Sequence, residues 1–242
     1  MQFTDSHIHL QDHKTNNAQQ IILQLKELSF SRVICVAANL NDFPAIASLC
    51  KQSPDLIIPS FGIHPWNVNN FSTSTYEIMR QFLIQYPQSL VGECGLDRRK
   101  GPDIEIQFSA FKSQLNLATE LNRPLNIHLV HADDIFARLL PQITTKFLLH
   151  SFNGSTPFLE SVLKRGGYIS INPSILSRSH HEELIRNIPL DKLLIESDSP
   201  YQSDFNSLPS FFTKIADIRS ISVQHLSTNI LQNMQNFTSI KN

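Results

Sequence analysis

The sequence has no excess of charge of either sign: 20 Lys and Arg face 21 Asp and Glu over 242 residues, a net charge of −1. That balance excludes a broad basic surface of the kind that holds nucleic acid or anionic membranes, so any anionic ligand must be gripped locally. Charged residues make up only 17% and hydrophobic residues 41%, enough apolar side chain for a sizeable core and too much for disorder as the main state. Cysteine is scarce. Cys35, Cys50 and Cys94 form an odd, sparse set in or near apolar runs, which points away from a disulfide framework and toward a reduced, cytoplasmic setting. The longest apolar run, Val33 to Ala38, falls far short of the ~20 residues that span a bilayer. The opening MQFTDSHIHL lacks the basic and apolar regions of an export signal. No membrane partner is expected.

What is present is alternation. Eight short apolar runs read as strands: Phe3 to Ile8, Arg32 to Ala37, Leu56 to Phe61, Leu90 to Gly95, Leu125 to Leu129, Lys146 to His150, Tyr168 to Ile171 and Leu193 to Ser197. None shows polar alternation, as expected of parallel strands buried on both faces. Between them lie helical stripes such as Ile21, Leu25 and Leu28, or Phe108, Phe111, Leu115, Ala118 and Leu121. Eight strand and helix pairs, with no linker or low-complexity tract, predict an α/β chain in which residues 1–242 form a single TIM-type (β/α)8 barrel. An open doubly wound sheet is the alternative. From about residue 208, Phe211, Phe212, Ile215 and Ala216, then Leu226, Ile230 and Met234, predict one or two closing helices.

Metal-competent side chains recur at or just past the C-terminal halves of those strands. His7 and His9 lie in or just past the first, Glu93 in the fourth, His128 in the fifth, His150 at the end of the sixth, and Asp198 after the eighth. A parallel barrel gathers C-terminal strand ends on one rim, so these six would share a pocket. A histidine buried alone is ordinarily a hydrogen-bonded core residue; recurrence at five strand ends argues for more. Imidazole with carboxylate suits zinc, manganese, iron or cobalt better than magnesium alone. Six ligands are too many for one open catalytic ion, whereas two ions bridged by a carboxylate would use them all. His13, His131, His180, His181 and His225 fall in helix or loop context and read as solvated or structural. Asp133 and Asp134 start a helix, where capping is the simpler reading, and Cys94 alternates away from Glu93 into the core.

The motifs DSHIHL (Asp5 to Leu10), GIHPW (Gly62 to Trp66), GECGLD (Gly92 to Asp97), PLNIH (Pro124 to His128), HSFNGS (His150 to Ser155) and ESDSP (Glu196 to Pro200) together resemble the TatD family of metal-dependent hydrolases, in the amidohydrolase superfamily. The resemblance runs over almost the whole chain and includes Gln107, Phe111, Gln114 and Ala118. It implies a site of two divalent ions (magnesium, manganese or zinc) in which His7, His9 and Asp198 hold the first, His128 and His150 the second, and Glu93 bridges. Asp198 would also orient or deprotonate the attacking water, making Asp198 and Glu93 the catalytic pair, while His64 would contact the substrate phosphate. Family members resemble one another in magnesium- or manganese-dependent DNase activity, often exonucleolytic from the 3′ end of single strands, and some relatives remove wrongly attached amino acids from transfer RNA.

Three departures stand out. Val130 occupies a position that is usually arginine, the loop Tyr201 to Pro209 holds no Lys or Arg, and Arg98, Arg99 and Lys100 follow GLD where an aromatic is usual. Arg98 or Arg99 is a candidate replacement for the missing phosphate contact; a solvated basic loop is the equal alternative. The expected function is phosphodiester hydrolysis of DNA or RNA by a cytoplasmic hydrolase, monomeric and without an obligate protein partner. A superfamily hydrolase of an ester or amide, including an aminoacyl ester, is the alternative, and a binding protein that has lost turnover is a third.

Overall fold

Apolar runs with no polar face form strands only where both faces are covered, and the chain provides that cover by alternating strand with helix. The computed structural model describes residues 1–13 and 18–240; residues 14–17 and 241–242, which the expected single domain also spans, lie outside the described residues. The strands are β1 (Phe3–Ile8), β2 (Phe30–Val36), β3 (Ile57–Ser60), β4 (Val91–Asp97), β5 (Leu125–Val130), β6 (Phe147–Leu149), β7 (Tyr168–Ile171) and β8 (Leu193–Ile195). The helices are α1 (Ala18–Glu27), α2 (Phe43–Gln52), α3 (Thr73–Gln85), α4 (Ile104–Glu120), α5 (Asp133–Leu139), α6 (Thr156–Lys164), α7 (His181–Asn187), α8 (Leu208–Arg219) and α9 (Val223–Thr238).

Every ladder is parallel. The strands pair in two runs, β1-β2-β3 and β4 to β8 in sequence order. The seams between the runs are irregular but bonded. Phe61 N–H donates to Leu90 C=O at 3.0 Å and Gly92 N–H to Phe61 C=O at 3.2 Å; across β8 and β1, Asp198 N–H donates to His7 C=O at 2.9 Å and His9 N–H to Ser199 C=O at 2.8 Å. The result is the expected barrel of eight parallel strands, with strand ends shifted by one or two residues from the sequence reading. Two shifts bear on the site. β4 runs on to Asp97, while β6 and β8 stop before His150 and Asp198, which therefore sit on loops.

The tail forms two helices. α9 packs beside the N-terminal ends of β1 and β8: Ser227 donates to the carbonyl of Gln2, and Asn233 Nδ2 donates to the carbonyls of Leu190 and Leu193 at 2.7 and 2.8 Å. It thus closes the end of the barrel opposite the C-terminal rim. Gly95 explains the close approach of β4 to β5. At φ +146°, a Cβ there would lie 1.9 Å from the carbonyl oxygen of His128, so no side chain fits between the strands that carry Glu93 and His128. Among the described residues, no helix is long and apolar enough to cross a membrane.

Candidate metal centre

Buried glutamines on α4 set the rim before any ligand does. Gln107 accepts the N–H of Asp97 at 2.7 Å and donates to its carbonyl at 2.9 Å. Gln114 does the same for Ile63, at 2.8 and 3.0 Å. The loops leaving β3 and β4 are therefore clamped to one helix. They open into a cleft of about 890 Å³ lined by His9, His64, Glu93, His128, His150 and Asp198, among others. His7, fully buried, lies beneath its floor. All seven site residues singled out from the sequence come together here.

Glu93 is the hub. Its Oε2 lies 3.2 Å from His7 Nε2 and 3.4 Å from His9 Nε2. Its Oε1 lies 2.9 Å from both His128 Nδ1 and His150 Nε2, and 3.4 Å from His64 Nε2. Asp198 Oδ1 faces the first pair, 3.5 Å from His9 Nε2 and 3.9 Å from His7 Nε2. Asp198 has φ +53°, a left-handed conformation that aspartate tolerates better than most residues. Its N–H bonds His7 C=O, and its own carbonyl accepts from the N–H groups of Tyr201 and Gln202. On the far oxygen, Oδ2, Gln202 Nε2 donates at 2.8 Å.

The ring nitrogens turned away from the hub define which nitrogens face it. Asn126 Nδ2 donates to Ser6 C=O at 3.1 Å, which leaves its Oδ1 to accept from His7 Nδ1 at 2.9 Å. His7 Nε2 then carries a lone pair. Likewise His150 Nδ1 donates to Glu196 Oε1 at 3.3 Å, and His128 Nε2 to Asp97 Oδ2 at 3.4 Å, freeing His150 Nε2 and His128 Nδ1. This arrangement, with a protein acceptor behind each of these three imidazoles, is what orients histidines that bind metal; His9 Nδ1 is buried without such a partner. His64 is the opposite case. Its Nδ1 accepts the N–H of Trp66 at 3.2 Å, so in the neutral ring Nε2 is a donor aimed at the hub and has no lone pair for a cation.

The nitrogens that face the hub crowd one another. His7 Nε2 and His9 Nε2 are 3.2 Å apart, and His128 Nδ1 and His150 Nε2 are 3.1 Å apart. Neutral lone pairs at that separation, facing carboxylate oxygens, repel unless a positive charge sits among them. Protons serve where no cation is bound. Burial opposes protonation of His9, but hydrogen bonds to Asp198 and Glu93 push it up to about 10. His150 is likewise raised well above the usual imidazole range against its burial, mainly by the charges of Glu93 and Glu196. Glu93, opposed by burial, is held well below the usual carboxylate range by the neighbouring histidines. Such a set fits divalent cations: His7, His9 and Asp198 present ligand atoms within 4.8 Å of one another, and Glu93 reaches from that group to His128 and His150.

The sequence reading does not single out Asn126, Asp97, Glu196 or Gln202. A signal for two of them exists. Asp97 lies four residues after Glu93 on the same strand, and Asn126 two before His128; period-two alternation turns such residues to a shared face. Asp133 and Asp134 lie in the first turn of α5, as expected of acids at a helix start, although the N-cap itself is Ala132 with no side-chain cap bond; Asp134 also pairs with Arg98 at 2.9 Å. His180, His181 and His225 are off the site, and His13 Nε2 meets Ser199 Oγ at 3.3 Å.

The family model described as TatD related DNase matches residues 4–239. A relative named 3'-5' ssDNA/RNA exonuclease TatD, from Erwinia tasmaniensis, is 34% identical over 190 residues, covering 75% of this chain and 73% of the relative. A putative deoxyribonuclease from Danio rerio is 26% identical over 212 residues, covering 82% and 80%. Among solved structures, a TatD homologue from Escherichia coli superposes with a TM-score of 0.88 at 23% identity, covering 97% of both chains. At that identity the last match speaks to the barrel alone. The family match over nearly the full length, joined to a relative one-third identical over three quarters of each chain, establishes that this chain belongs to the TatD related DNase family.

Proposed function

We propose that the chain is a metal-dependent nuclease that hydrolyses phosphodiester bonds of DNA or RNA, working as an exonuclease on single strands. The observation that carries this reading is Glu93, whose two oxygens face two separate sets of imidazole nitrogens at 2.9 to 3.4 Å. In this reading His7, His9 and Asp198 hold one divalent ion, His128 and His150 hold a second, and Glu93 lies between. When bound, such a pair offsets charge on a phosphate and lowers the pKa of a water. The catalytic residues are Asp198 and Glu93. Asp198, oriented by Gln202 on Oδ2, accepts the proton of the attacking water. His64 turns its Nε2–H toward a phosphate oxygen, a donor fixed before substrate arrives.

Relatives named for single-stranded DNA and RNA support the substrate class, as do two aromatics on the rim of the cleft. Trp66 is 40% exposed and Tyr201 64%, and a base can stack on either ring whatever its identity. The ions are magnesium, manganese or zinc. We read residues 1–242 as one domain acting as a monomer in the cytoplasm, a setting that suits three unpaired cysteines.

The test is end-labelled single-stranded DNA and RNA incubated with protein in Mg²⁺, Mn²⁺ or EDTA, with Asp198→Ala alongside. Laddering that disappears with EDTA and in the variant is expected, and the labelled end gives the polarity. Intact strands from protein that carries its metals would overturn the reading in favour of an ester or amide substrate, for which Val130 and the arginine-free loop after β8 would be no loss.

A further inference from the structure

A side pocket of about 270 Å³ continues from the cleft beyond His128 and His150. It shares Arg99, Val130 and Gln202 with the cleft and adds Arg178, which follows β7. Its volume is near the lower end of ligand pockets, ~300 Å³, so it suits one nucleotide-sized group and not two. Phe152 and Phe158 supply an apolar wall, their rings stacked 6.1 Å apart at 9°. Gly154 keeps that wall open, since a Cβ there would lie 2.8 Å from both rings.

The cations around the site differ in how they are engaged. Arg98 is tied up, donating to Asp134 at 2.9 Å and to the carbonyl of His131 at 2.9 Å. Lys100 lies over the Trp66 ring, 3.6 Å from its centroid. Arg99 and Arg178 have no side-chain hydrogen bond or ion pair among the described residues, and both line the side pocket. Burial lowers the pKa of Arg178 with no anion to offset it. The pocket wall carries one carboxylate, Asp133, which is bonded to neither arginine. Two unengaged guanidiniums in a nucleotide-sized recess beside the hub are what a phosphate diester would complement.

We propose that Arg99 and Arg178 grip the phosphate adjoining the scissile one and seat its nucleotide in the side pocket, so that they replace the cations missing at Val130 and in the loop after β8. This inference rests on the nuclease reading above and makes the two arginines determinants of oligonucleotide affinity, not of bond cleavage itself.

The experiment uses full-length protein loaded with metal. In an Asp198→Asn background, the affinity for labelled single-stranded DNA is measured against salt concentration, with Arg99→Ala, Arg178→Ala and Arg98→Ala added singly. Loss of either unengaged arginine should weaken binding roughly 10- to 100-fold, as for a hydrogen bond to a charged group, and flatten the log–log salt slope by about 0.7, the share of one phosphate on a single strand. Arg98→Ala should change neither. In parallel, with Asp198 intact, Arg178→Ala should keep its rate on bis(p-nitrophenyl) phosphate, which has no second phosphate, while losing rate on oligonucleotides. Arg99→Ala and Arg178→Ala binding DNA as Arg98→Ala does would overturn the proposal, as would an equal loss on both substrates. Failure of the unsubstituted protein to bind or cleave any oligonucleotide would instead count against the nuclease reading.

Discussion

Asp97 holds His128 from behind: its Oδ2 lies 3.4 Å from Nε2 of the imidazole. The same oxygen takes the indole N–H of Trp66 at 2.7 Å, and Oδ1 accepts the N–H groups of Arg99 and Lys100 at 2.8 and 3.2 Å. Burial works against the charged form, but the hydrogen bonds from His128 and Trp66 bring the carboxyl down to about 2, so it stays ionised through the neutral range. An amide offers one acceptor oxygen where four donors converge. Asp97→Asn should therefore leave the fold intact and weaken one of the two metal equivalents proposed above by about 10- to 100-fold, the usual cost of losing an orienting partner. Calorimetric titration of the metal-stripped protein would show it; two unchanged binding steps would refute the orienting role.

His64 separates from the ligands by its tautomer. Since Nε2 is a donor, His64→Ala should leave the metal content unchanged while kcat/KM on oligonucleotides drops by about 10²- to 10³-fold, the range for removing one donor to a developing oxyanion. Metal analysis together with steady-state kinetics decides this. Loss of a metal equivalent would reassign His64 as a ligand.

Protons and metal compete for the same nitrogens. At pH 7.5 the metal-free protein keeps His9, raised to about 10, protonated. Metal can bind only as that proton leaves, so affinity should increase with pH until about 10. Titrations in buffers of different ionisation enthalpy should register release of at least one proton, and His9→Ala should reduce that number. Binding without proton release would show that the hub is neutral before metal arrives.

Asp5 makes stability depend on pH. Burial pushes its carboxyl from 3.8 up to about 7, against hydrogen bonds from the Ser197 side chain and N–H and from the N–H of His7. A folded-state pKa above the unfolded one means that the folded chain binds the extra proton between those values. Its contribution is thus greatest below pH ~4 and is lost as pH rises through about 7. In EDTA, Asp5→Asn should gain on the parent protein in Tm between pH 5 and pH 8, by on the order of 5 °C or more. A constant difference across that range would place the carboxyl near its ordinary value.

Much of this was legible in the sequence because the barrel converts position along a strand into position in space. His128 and Glu93 stand on parallel neighbours, and alternation on β4 already points Cys94 away from Glu93 into the core. What was not legible depends on side-chain geometry after folding. Whether His64 offers a lone pair or a proton is decided by the backbone N–H of Trp66, and which of three consecutive basic residues stays unengaged is decided by Asp134 capturing Arg98 and Trp66 underlying Lys100. Neither contact has a periodic signature. β6 and β8 read longer in the sequence than they are because the residues past them, His150 and Asp198, are buried and still donate their N–H groups to the neighbouring strands, at Ile127 and His7, although regular pairing ends at Leu149 and Ile195.

Trp66 is the chain's one tryptophan, and it stands at the mouth of the cleft with its indole hydrogen-bonded to Asp97 and its ring beneath Lys100. Its emission is therefore an optical reporter seated in the site. Metal loading that shifts His128 and Asp97, or a base that displaces Lys100 from the ring face, should change intensity or colour without any label. Stopped-flow fluorescence of the unmodified protein could then follow binding in real time, separately from bond cleavage.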